Sequence, residues 1–165
     1  MARKTKYGIG GTRVEIEGDE ELIRKLNGMS KGFRSKALLH AVTQGAEIVE
    51  REAKARAPVR KSGKGRKGRL RDSITTVKLK STSKLAKVGI SWGKKVFYGL
   101  YIEKGTRPRF RKTWRKKPLE KPASTGRGPQ RAFLIPAYHS KREQVAREIK
   151  VQLSRLLRKA AKKGL

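Results

Sequence analysis

Side chains capable of covalent or metal chemistry are few in this chain, and their spacing gives them little to work with. His40 and His139 fall in separate helical stretches with no acidic partner at ligand spacing, and there is no cysteine, so no metal donor set assembles by motif. Ser73 lies outside any nucleophile elbow and has no histidine partner by motif. Gly63-Lys64-Gly65-Arg66-Lys67-Gly68 resembles a phosphate loop only superficially. It lacks the G-x-x-x-x-G-K-[ST] spacing and the strand-to-helix setting, so it reads as a flexible basic loop. Glu15, Glu17 and Asp19 are the only close acidic set that could hold Mg²⁺ for a nuclease. The first two alternate on one side of a strand, and a solvated strand face accounts for them more simply. No cofactor and no metal is expected.

What the chain has in abundance is positive charge. The formal net charge is +32, and its distribution is uneven: residues 1–53 carry a net +2 and the remaining 112 residues a net +30. Such an asymmetry calls for a polyanionic partner, with nucleic acid first, an acidic protein surface second and an anionic membrane third. Two tracts hold the cations most densely. Residues 59–69 contribute Arg60, Lys61, Lys64, Arg66 and Lys67. The segment 106–131 contributes Arg107, Arg109, Arg111, Lys112, Arg115, Lys116 and Lys117. From Lys104 to Arg131 there are 11 Lys/Arg against one acid, with Phe110 and Trp114 interleaved. Aromatics among cations can stack bases, or they can anchor a loop to its own domain. No RNA- or DNA-reading motif accompanies them, so phosphates would be read without sequence.

The elements that must position these residues follow from periodicity. Residues 1–12 read as a flexible basic arm, Val14 to Gly18 as a short alternating strand, and Asp19 as the cap of a helix ending near Gly28. A long helix from Lys31 to Ala57 is marked by Leu38, Val42, Ala46, Val49, Ala53 and Ala57, and Pro58 stops it. Leu70 to Ile74 suits one helical turn. Thr75 to Lys80 and Ala86 to Trp92 alternate as an antiparallel hairpin. Val96 to Glu103 fits helix or strand by pattern. Residues 106–131 show no periodicity and read as a long basic loop. A helix over 136–162 closes the chain, with Pro136 suited to its first turn. The expected architecture is α+β: one domain over 1–165, a small antiparallel sheet packed by two long helices. The 165 residues contain no apolar run near the roughly 20 needed to span a bilayer and no secretory leader, which predicts a soluble protein made in a cytoplasm.

Three stretches in order carry a family resemblance: Gly68-Arg69-Leu70-Arg71-Asp72-Ser73-Ile74, Tyr98-Gly99-Leu100-Tyr101-Ile102-Glu103-Lys104-Gly105-Thr106, and Arg131-Ala132-Phe133-Leu134-Ile135-Pro136-Ala137. The sequence resembles the small tail-component proteins of long-tailed bacteriophages, over roughly Val14 to Leu157. That resemblance favours helix for Val96 to Glu103, closed by Gly105. It implies a neck, tail-completion or tail-terminator protein at the head–tail junction of the virion, assembled in the host cytoplasm. The implied partners are other copies of the chain in a ring of six, the head connector, and tail tube or terminator proteins. Double-stranded DNA or the tape-measure protein are further contacts, and no membrane is involved. The chain departs from the family in its basicity and in the length of the tract after Thr106. The alternative, from composition alone, is a sequence-nonspecific nucleic-acid architectural protein of ribosomal or DNA-packaging type.

Within this frame Glu103 falls on the family's recurrent glutamate before Gly-Thr. It reads either as an ion pair fixing the turn or reaching a neighbouring subunit, or as a solvated helix-end carboxylate. Phe133 is expected to anchor the end of the long loop on a sheet face of Val77, Leu79, Val88 and Ile90, with Pro136 fixing the entry of the last helix.

Overall fold

Small residues recur every fourth position along the first long helix, and that recurrence governs how it packs. The computed structural model describes residues 20–59, 68–114 and 117–162. Its elements run α1 (Glu20–Asn27), α2 (Lys31–Arg56), α3 (Arg69–Ser73), β1 (Ile74–Ser81), β2 (Ala86–Trp92), a 3-10 turn (Lys94–Val96), α4 (Gly99–Lys104), β3 (Phe110–Trp114), β4 (Lys117–Ser124) and α5 (Leu134–Lys162). The class is α+β, with two separate two-stranded antiparallel sheets, β1-β2 and β3-β4. The arm at 1–12, the strand at Val14 to Gly18, Asp19, and the acids Glu15 and Glu17 lie outside the described residues.

Two compact units divide the chain. The first comprises Met1–Glu47, Thr76–Gly89 and Arg142–Leu165. Here Ala37 and Ala41 are buried on α2, and Val145, Ile149, Leu153 and Leu157 form a buried row on α5. Gly45 marks the closest approach: a Cβ there would lie 2.9 Å from Ile149 Cγ1 and 3.1 Å from Val145 Cγ1. The Arg34 guanidinium ties the α1–α2 turn, donating to Asn27 Oδ1 (3.1 Å), Asn27 O (2.8 Å) and Met29 O (3.1 Å). Ser35 of α2 meets Ser81 of β1 at 2.8 Å, hydroxyl to hydroxyl.

The expected stripe on α2 is displaced by one residue in its first half. Ala37, Ala41, Gly45, Val49, Ala53 and Ala57 are buried, while Leu38, Val42 and Ala46 are only half-buried. A strict four-residue repeat advances about 40° per step on a helix with ~3.6 residues per turn. The buried line therefore winds around α2 and does not hold one face. The smallest side chains take it because they let branched partners reach the backbone.

The second unit comprises Ile48–Thr75 and Ile90–Lys141. Its interior collects Val49, Ala53, Leu70, Ile74, Val96, Phe133 and Ala137, all buried. Gly99 lets α4 close on its neighbours: a Cβ there would lie 2.9 Å from both Leu70 Cδ1 and Trp92 Cε2. The Phe133 ring packs on Trp92, centroids 5.9 Å apart and tilted by 53°. Phe133 is buried as expected; of the sheet face named for it, two members point to solvent. Val77 and Leu79 are exposed, and Leu79 instead covers Gly89 across the hairpin.

The largest correction concerns 106–131. The tract expected as an irregular loop contains the β3-β4 ribbon, registered Phe110↔Ser124, Arg111↔Ala123, Thr113↔Pro118 and Trp114↔Lys117, with an irregularity between Arg111 and Thr113. Prolines and cations hide it, because they replace the apolar alternation that marks a half-buried strand. Both strands of a two-stranded ribbon are edges, and an edge tolerates prolyl nitrogens such as those of Pro118 and Pro122.

Candidate functional site

The geometry of the second unit begins with a forced turn. α4 ends at Gly105, whose φ of 72° and ψ of −176° place it in a region open essentially to glycine. A Cβ at Gly105 would also meet Gly128 O and Gln130 N at 3.1 Å. The chain thus leaves the helix directly against 128–130. Arg131 N donates to Ile102 O (2.9 Å), Thr106 N to Gly128 O (3.1 Å), and Gly128 N to Thr106 Oγ1 (2.8 Å). Gly105 has the helix-closing role expected of it.

This crossing aims Glu103 at the start of α5. Phe133 N and Leu134 N donate to its Oε2 at 2.8 and 3.0 Å, and Ile135 N donates to Oε1 at 3.0 Å. The next residue, Pro136, has no N–H, and Ala137 N donates to Phe133 O (3.2 Å) to begin the helical ladder. Every amide that the first turn of α5 would leave orphaned is therefore satisfied or absent. The carboxyl group also sits at the positive end of a 29-residue helix, where negative charge is favoured. Glu103 is fully buried. Neither reading made from the sequence describes it: it is not solvated, and among the described residues its partners are backbone amides and no cation. What could have pointed to this role is the missing amide of Pro136, which leaves a run of three donors ahead of it.

Outward from this base the two chains keep pairing. Arg109 N donates to Gly126 O (3.3 Å), and Thr125 N and Oγ1 donate to Arg109 O (2.8 and 3.0 Å), leading into the ribbon. Arg107, Arg109, Arg111 and Lys112 are exposed along it, as are Lys121 and Arg127. Phe110 is exposed too, at 62%. These four cations of the expected contact set are brought together on one structured arm. Arg60, Lys61, Lys64, Arg66, Lys67, Arg115 and Lys116 lie outside the described residues; Lys117 is described only as the first residue of β4.

One surface escaped the sequence reading. Phe97, Leu100 and Tyr101 stand at the three- and four-residue spacing of a helix face, a pattern that ordinarily marks core. Here they are exposed and, with Lys104, Arg107 and Arg109, line an open groove beside the ribbon's base.

No group of three or more His, Asp or Glu side chains that could hold a metal ion is found among the described residues, and none of their helices is long and apolar enough to cross a membrane. Fold and site together define a small, strongly basic α+β protein whose accessible surface offers charge and apolar contact. The model of the HK97-gp10-like family, described as "Bacteriophage HK97-gp10, putative tail-component", matches residues 20–105, just over half of the chain. The chain belongs to this family of bacteriophage tail components. The match runs from α1 to the glycine at the base of the ribbon and stops there. No curated protein and no solved structure matches the chain.

Proposed function

We propose that this tail component is a non-enzymatic structural protein of the head–tail junction, a neck, tail-completion or tail-terminator subunit. In this reading copies form a ring, six by the family resemblance, joining the head connector to the tail tube or terminator. The basic ribbon faces the channel and holds double-stranded DNA by its phosphates. The observation that carries the DNA contact is the position of the exposed cations. Arg107, Arg109, Arg111 and Lys112 extend on a hydrogen-bonded arm beyond the segment the family model covers. A paired ribbon holds such groups in register at low entropic cost, and phosphate contacts of this kind need no base-specific motif.

The test is the salt dependence of duplex binding. Each phosphate neutralised contributes about 0.9 to the slope of log affinity against log salt. Replacing Arg107, Arg109, Arg111 and Lys112 by Ser should lower that slope by about 3–4. An unchanged slope would mean that the ribbon faces protein. The junction role is tested separately, by quantitative mass spectrometry of purified particles. The subunit should be present in a small fixed multiple, and its absence would refute a virion position.

A further inference from the structure

The groove beside the ribbon's base is unlike the rest of the basic surface. Phe97 is 69% exposed, Tyr101 52% and Leu100 39%. The Phe97 ring meets both Tyr98 and Tyr101 edge-on, with centroids 6.4 Å apart in each case. Around this apolar floor stand Lys104, Arg107 and Arg109, with no acid among the described lining side chains. The nearest carboxyl group in sequence, Glu103, is turned inward onto the α5 amides and not toward these cations. A cluster of large apolar side chains left in water is a marker of an interaction surface.

We propose that this groove docks an acidic segment of a partner protein, one that places a bulky apolar side chain on Phe97, Leu100 and Tyr101 and carboxylates against Lys104, Arg107 and Arg109. Charge complementarity selects the occupant. A second copy of this chain carries the same net +32, so long-range repulsion opposes it and its few acids are outnumbered by cations, 13 against 45. Nucleic acid supplies anions but stacks its bases on open ring faces. The Phe97 and Tyr101 rings stand at 87° to each other, a notch and not a platform, and Leu100 has no ring face to offer. An apolar anchor surrounded by charge of the opposite sign is the arrangement of a protein hot spot with a polar rim.

Fluorescence anisotropy on the full chain tests this with three labelled probes: an acidic peptide carrying leucines one helical turn apart, an all-glutamate peptide of equal charge, and oligothymidine. The leucine peptide should bind about tenfold or more tightly than the all-glutamate peptide, the effect of one good anchor. In Phe97→Ser/Tyr101→Ser that advantage should vanish while duplex DNA binding and melting temperature stay unchanged. Leu100→Ser should reduce it separately, so the outcome does not depend on one variant. Lys104→Ala should weaken both peptides and flatten their salt dependence. Equal affinity for the two peptides, loss of oligothymidine binding instead, or self-association abolished by Phe97→Ser would each overturn the proposal. Arg107 and Arg109 belong to both this groove and the ribbon's duplex contact, so the aromatic variants, which leave all of the ribbon's cations in place, are what separate the two.

Discussion

At the base of the 106–131 segment a single carboxyl group takes three backbone amides and is wholly shielded from water, while further out the same segment exposes arginines, lysines and a phenylalanine. The base is specified atom by atom: Gly105 by its dihedrals, Glu103 by its donors, Phe133 by its contact with Trp92. The ribbon is specified only by backbone pairing and by sign of charge. Burial raises the cost of any unmatched polar group or lost contact, whereas solvent forgives both. Stability and binding should therefore separate cleanly between the two regions.

Phe133→Ala should have the largest effect. Truncating a fully buried ring typically costs about 3–5 kcal/mol once the cavity is counted. For a chain of this size that is a drop in melting temperature of roughly 2–4 °C per kcal/mol, read by calorimetry. Glu103→Ala comes next. It strands amides at a buried helix start, and we expect a loss on the order of 2–4 kcal/mol. Glu103→Gln should recover only part of this, because its amide nitrogen would face a donor. If Glu103→Ala melts like the parent, the carboxyl group is not what holds α5, and the contrast between the regions loses its sharpest element. Smallest of all should be Phe110→Ala, within about 0.5 kcal/mol as for other surface changes. A large drop there would make the ribbon part of the core and break the comparison outright.

How far these features could be read in advance follows the same division. The β1-β2 hairpin announces itself by alternation, and the three long or medium helices by their period and by Pro58 and Pro136. The ribbon does not, because the described side chains of its strands, 110–113 and 120–124, are exposed and impose no apolar pattern. On α2 the period was visible but the row was not. Leu38 and Val42 are the more hydrophobic choice, yet the buried row runs through Ala37, Ala41 and Gly45, the last in close approach to Val145 and Ile149. The importance of Glu103 was visible in its Gly-Thr context, whereas its role was not: its partners are main-chain amides some thirty residues away, and amides leave no mark in a sequence. The exposed Phe97, Leu100 and Tyr101 mislead in the opposite sense, carrying a core pattern to the surface.

The closed base has an evolutionary consequence. Ile102 with Arg131, Thr106 with Gly128, and Glu103 with the start of α5 bring the two ends of the segment together regardless of what lies between them. The entropic cost of closing a longer or shorter excursion changes slowly, by only about 0.6 kcal/mol for each doubling of length. The ribbon is accordingly a cassette. Its length, its prolines and its charge can drift, or be replaced by a different arm, while the stapled ends keep α4 and α5 where they are. A lineage could in this way refit the same subunit to a new surface without renegotiating its fold.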